Sequence, residues 1–100
     1  MLPETIRQEF AAIHQISNFI HQNPELGFKE FKASAALKKF LADRGFSIRE
    51  NLGGVETAFL AECASPGADR KIPLFAFLGE YDALAGLGHA CGHNLIAAAS

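Results

Sequence analysis

Ile72–Leu78 is a nearly unbroken apolar run that leads directly into Gly79-Glu80-Tyr81-Asp82, and this junction constrains the fold more than any other stretch. A short run of this kind suits a central strand covered on both faces. Its lack of periodicity also fits a buried helix, but its length favours a strand. Pro73 stands near its start. Just past its C-terminal end lie two carboxylates one residue apart. A glycine-rich turn follows, carrying His89, Cys91 and His93 within five positions. Ligand sites in open α/β sheets sit at that edge of a strand, so position and chemistry agree.

The rest of the chain supplies the other layers. Ile6, Phe10, Ile13, Ile16 and Ile20 recur every three or four residues and mark one face of a helix. Pro3 suits its first turn. Asn23-Pro24 should end it, because the residue before a proline is pushed out of the α region. A second helix is expected over about Lys29–Arg44, with Ala33, Ala36, Leu37, Phe40 and Leu41 inward and Gly45 as a left-handed cap. Phe46–Glu50 and Thr57–Cys63 read as strands, separated by a turn at Asn51–Gly54. Ala64–Arg70 reads as a surface loop. Leu95–Ala99 opens a third helix. Helices, then strands, then a new helix after the most apolar strand give a layered α/β fold with a mixed sheet.

One hundred residues allow one domain at most. The chain is 49% apolar and 20% charged, which is too hydrophobic for disorder. It buries roughly two-thirds of its unfolded surface, enough for one modest core. A net charge of −2 gives no drive toward phosphate backbones, so no nucleic-acid partner is expected. No apolar run approaches the ~20 residues of a membrane span. The Met1–Arg7 segment lacks the cationic-then-apolar pattern of a secretory signal, and a cytoplasmic location is expected. That compartment disfavours a disulfide between Cys63 and Cys91. Cys63 reads as a small buried hydrophobe.

Thiolate, imidazole and carboxylate are the groups that hold zinc and related ions. Glu80 and Asp82 point to one side if the strand persists, where they could bind metal, polarise a ligand imidazole or serve acid–base chemistry. Cys91 and His93 could converge on one ion, because Gly88 and Gly92 open backbone conformations closed to other residues. Two ligands alone make a weak site. A Cys91 nucleophile with His89 or His93 as its base is a second chemical possibility. Phosphate cradling by Gly86–Gly92 is a poor third, since the final glycine falls one residue late for a dinucleotide fingerprint. His14 and His21 lie one heptad apart on the first helix and read as surface or half-buried residues.

Gly79-Glu80-Tyr81-Asp82-Ala83-Leu84 followed by Gly88-His89-Ala90-Cys91-Gly92-His93-Asn94 closely resembles the metal-dependent amidohydrolases and aminoacylase-type metallopeptidases. The likeness is to the branch of aminobenzoyl-glutamate hydrolases, indole-acetyl-amino-acid hydrolases and related dipeptidases. His21–Glu30 matches a second signature of that family, and Thr57-Ala58-Phe59 a third and weaker one. The resemblance implies a zinc-exopeptidase-like α/β catalytic domain with two divalent ions, hydrolysing an amide bond beside a free carboxylate. A smaller lid and dimerisation domain is normally inserted into it. By position, Cys91 and His93 look like metal ligands, and Asp82 like an acid that supports or clamps the site. Glu80 stands where distant relatives carry a ligand histidine, and its role is left open. Asn94 stands where many relatives carry Asp, and Ala85 replaces a usual proline. Zinc is favoured by the thiolate, while manganese, cobalt and nickel also suit such sites.

The family's base glutamate, its adjoining acidic ligand and its later histidines would all lie beyond Ser100. Residues 1–100 therefore read as the N-terminal portion of a catalytic domain: a fragment, a truncation or one piece of a split enzyme, inactive alone. A small amide or dipeptide-like substrate is expected for the complete enzyme. Self-association or a complementary chain is expected to cover the apolar strand. The alternative is a non-catalytic metal-binding or interaction module derived from the same fold.

Overall fold

The computed structural model describes residues 3–64 and 74–100. Helix α1 spans Glu4–Gln22 and is preceded by Pro3, as the sequence predicts. It ends at Asn23, whose Nδ2 donates back to the Phe19 carbonyl at 2.8 Å, just before Pro24 forbids another turn. Only the second half of α1 is buried: Ile16, Ser17 and Ile20 face the core, while Ile6 and Phe10 of the same stripe stay exposed.

Helix α2, Phe31–Ala42, is shorter at both ends than its apolar pattern suggests. No serine, threonine, aspartate or asparagine stands at its N-terminus, so the unpaired amides of its first turn need another acceptor. Glu25 provides it, accepting from the Lys32 and Ala33 N–H groups at 2.9 Å each. The C-terminal end closes as expected. Gly45 has φ of +88°, its N–H donates to Ala42, and the Phe46 N–H reaches back to Leu41, which together form a Schellman cap.

Strands β1, Ser47–Glu50, and β2, Phe59–Glu62, form an antiparallel hairpin in which Ile48 faces Ala61 and Glu50 faces Phe59. A single 3-10 turn, Leu52–Gly54, lies between them after Asn51 in the left-handed region. Helix α3, His93–Ala99, begins two residues earlier than expected. The core consists of Ile16, Ile20, Ala33 and Leu37, with Phe40, Phe59, Tyr81, Ala97 and Ala98 packed against it. Ile20 is completely buried. Burying such a side chain contributes about 1.5–3 kcal/mol, so this small cluster holds α1, α2 and α3 together.

The fold is mixed α/β, but two expectations need correction. The run expected as a covered central strand over Ile72–Leu78 does not behave as one where it is described. Residues 74–78 are outside any strand, and Leu74, Phe75, Phe77 and Leu78 are 81–94% exposed. A strand needs a ladder partner as well as an apolar sequence, and the two-stranded sheet pairs β1 only with β2. Ile72 and Pro73 lie outside the described residues, as does most of the expected loop at Ala64–Arg70. Cys63 is exposed rather than buried, because β2 stops one residue before it and the chain leaves the hairpin there. No described helix is long and apolar enough to cross a membrane.

Candidate metal centre

Residues 80–82 lie outside any helix or strand, and their side chains divide between two sides. Tyr81 turns toward the core and packs against Phe59 with ring centroids 6.3 Å apart. Glu80 and Asp82 turn the other way, onto one side, as the sequence predicts. The chain then folds back through a bridge between Leu84 and Gly88, using positive φ at Gly86 and Gly88. Gly92, with φ of +83°, starts α3 and delivers His93 as its first residue.

His93 meets both acids. Its Nδ1 lies 2.9 Å from Asp82 Oδ1 and 3.0 Å from the Asp82 carbonyl oxygen. Both are acceptors, so Nδ1 carries the proton and donates to Asp82. Nε2 lies 3.3 Å from Glu80 Oε2 on the other side of the ring. One donor atom from each of Glu80, Asp82 and His93 falls within 4.8 Å of the others. Two carboxylates and one imidazole form a borderline-to-hard donor set that suits zinc, manganese, cobalt or nickel. The residues present therefore fit a divalent ion. The Asp82–His93 contact matches the carboxylate–imidazole pairing that orients metal-binding histidines.

Cys91 is exposed and lies outside this three-residue group. His89 is 6% exposed, and among the described residues neither ring nitrogen has a hydrogen-bond partner. Its burial, with His21 and His93 nearby, holds the imidazole below the ordinary histidine range, and Asp82 and Glu25 only partly offset this. The His21 and His89 rings lie 6.4 Å apart. His14 stays on the surface and stacks on Phe10, in line with the sequence reading.

The three separate sequence signatures meet around this cluster. The Glu25 carbonyl accepts from the Ala83 N–H at 2.7 Å, which ties the segment before α2 to the acidic motif. Glu30 and Thr57 are both buried, and the Thr57 hydroxyl donates to Glu30 Oε2 at 2.6 Å. The Tyr81 hydroxyl donates to the Thr57 carbonyl. Asn94 donates to the Ser17 hydroxyl at 3.1 Å. In the sequence, Glu25, Glu30 and Thr57 stand only as signature positions. The one local signal of their work is the α2 N-terminus, which lacks a capping residue of its own.

Comparison with known proteins found no matching family model. The chain is 36% identical to one subunit of the p-aminobenzoyl-glutamate hydrolase of Escherichia coli, over 97% of its own length and 22% of that protein. It is 39% identical to mouse Xaa-Arg dipeptidase, over 94% of this chain and 23% of that protein. With Bacillus subtilis N-acetyl-L-cysteine deacetylase the identity is 32%, over 84% of the chain and 22% of the relative. The chain thus spans between a fifth and a quarter of the length of these curated relatives. Over that span its sequence is related to the amidohydrolases and dipeptidases that its acidic and Cys-Gly-His motifs resemble.

Proposed function

We propose that this chain supplies one corner of a two-metal hydrolase centre, acting in a complete enzyme on an amide bond next to a free carboxylate. The observation that carries this reading is the convergence of Glu80, Asp82 and His93, whose donor atoms lie within 4.8 Å of one another. His93 would hold a divalent ion through Nε2, and Glu80 would share it from the facing side. Asp82 fixes the imidazole by accepting the Nδ1–H hydrogen bond. Cys91, two residues before His93, is the thiolate ligand that the resemblance supplies. Zinc is the favoured ion. When bound, divalent ions in such a centre supply Lewis-acid polarisation and an activated water. The chain's own residues do the rest: they orient the imidazole and place two negative charges beside it.

The substrate class follows from the relatives' names, each of which contains an amino acid joined through its nitrogen to an acyl group. An N-acyl amino acid or dipeptide-like amide is therefore the proposed substrate, and the cytoplasm the proposed location. The chain forms the first portion of the catalytic domain in this reading. A second copy or a complementary chain would cover residues 74–78.

Calorimetric titration with zinc and cobalt tests the proposal directly. The chain is expected to bind one ion with a dissociation constant that His93→Ala weakens beyond detection. Absence of binding in the unmodified chain, or undiminished binding in His93→Ala, would remove the basis of the reading.

A further inference from the structure

Residues 80–82 have no ladder partner among the described residues, yet Glu80 and Asp82 both reach His93. Something other than a sheet must fix the orientation of this stretch of backbone. We infer that the series formed by buried Glu30 and Thr57 and half-buried Tyr81 sets it, making Thr57 and Tyr81 positioning residues for the metal centre. The inference rests on the metal-centre reading above.

Tyr81 sits between the two acids, so locking its side chain inward forces theirs outward. Its hydroxyl is held by the Thr57 carbonyl, and its ring by Phe59. Thr57 is 4% exposed and is fixed in turn by its hydroxyl, which donates to Glu30 Oε2 at 2.6 Å. Glu30, 8% exposed, accepts the Phe28 N–H at 2.9 Å with its other oxygen. Phe28 itself takes φ of +68°, a left-handed conformation that bulky residues seldom adopt without compensation. That turn aims its N–H at Glu30. One residue past the acids, the Ala83 N–H is pinned by the Glu25 carbonyl at 2.7 Å. Two anchors, at 81 and 83, thus bracket Asp82 and replace the missing ladder. Every donor in the series has a geometric partner, which is the condition for a buried polar network to rigidify its surroundings.

The test uses Tyr81→Phe, which removes one hydroxyl and keeps the ring, and Thr57→Val at the other end of the series. Thr57→Ser retains the hydroxyl and serves as the conservative control. The first readout is nitrogen-15 NMR of the His93 imidazole in metal-free protein, where an Asp82-held Nδ1–H gives a slowly exchanging proton. The second is cobalt affinity. Tyr81→Phe and Thr57→Val are expected to lose the slow proton and to weaken cobalt binding roughly tenfold. Thr57→Ser is expected to match the unmodified chain in both. Circular dichroism identifies a variant that unfolds, and the other variant then decides. An unchanged His93 signal together with unchanged cobalt affinity in a folded Tyr81→Phe chain would overturn the inference. If the unmodified chain fails to bind cobalt but its His93 signal still depends on Tyr81, the metal reading falls and the positioning series stands.

Discussion

Asn94 Nδ2 and Ser17 Oγ lie 3.1 Å apart although 77 residues separate them in sequence, and both residues are buried. This bond seats α3 on α1 one residue after His93. The same amide also reaches the Ser17 carbonyl at 3.4 Å.

Asn94→Asp should therefore destabilise the chain, although many relatives of this type are expected to carry Asp there. A carboxylate cannot donate to the Ser17 carbonyl and would bring a buried negative charge against it, which a hydrogen bond from the Ser17 hydroxyl offsets only in part. Breaking a buried hydrogen bond in this way costs about 1–3 kcal/mol. Urea unfolding followed by circular dichroism should show the midpoint falling. A midpoint equal to that of the unmodified chain would mean the Ser17 contact is dispensable.

Leu37→Ala removes part of a four-residue core and should cost about 2–5 kcal/mol, a large share of the stability available to a domain this size. Gly45→Ala should cost about 1 kcal/mol, because only the left-handed φ at Gly45 permits the Schellman cap on α2. The ranking of the two losses in the same unfolding assay checks which feature dominates.

Cobalt spectroscopy separates the ligand candidates. A thiolate charge-transfer band should appear in the unmodified chain, vanish in Cys91→Ser and persist in Cys63→Ser. Cys91 lies outside the group formed by Glu80, Asp82 and His93, so the band also reports whether the thiolate joins them when an ion binds. A band that survives Cys91→Ser would show that Cys91 is not the thiolate ligand.

On the proposed reading the isolated chain should not turn over N-acyl amino acids, since a held metal pair and a general base are both needed and Glu80, Asp82 and His93 supply only one corner of such a centre. Metal-dependent hydrolysis that persists through purification and disappears in His93→Ala would contradict this.

Self-association should be measurable by sedimentation. Four large apolar side chains at 74, 75, 77 and 78 are exposed, a patch of the kind that seeks a partner surface. Phe75→Lys with Phe77→Lys should shift the chain toward monomer. Amides in β2 should exchange slowly and those at 74–78 rapidly in the monomer. Concentration-independent sedimentation of the unmodified chain would count against association.

Much of this architecture is legible in the residues themselves. The stripe at Ile16 and Ile20, Pro24 as a stop and Gly45 as a cap are local signals, and each element they mark is present. The pairing of Glu80 and Asp82 on one side is expected from the sequence only if a strand persists there; both acids do reach His93, although residues 80–82 form no strand. Residues 74–78 mislead because an apolar run states that a segment needs covering without supplying the cover. Glu25, Glu30 and Thr57 escape because their partners are distant in sequence: Thr57 reaches Glu30 across 27 positions, and no periodicity reports such a bond. Cys91 and His93 are neighbours in sequence, yet the helix start at His93 directs its imidazole to the acids, while Cys91 remains in the preceding turn.

The contact between α1 and α3 has a kinetic consequence. It joins the two most distant helices of the chain, so its loop-closure cost is met late, after the local helices and hairpin can form. During synthesis the Ile16–Ile20 face of α1 can meet Ala33 and Leu37 of α2 early, but the part that α3 covers would wait until His93–Ala99 emerges. His93 is the first residue of that last helix. Closing the core and bringing the imidazole to Glu80 and Asp82 are thus a single folding event, and a chain that fails to close cannot hold these three side chains together.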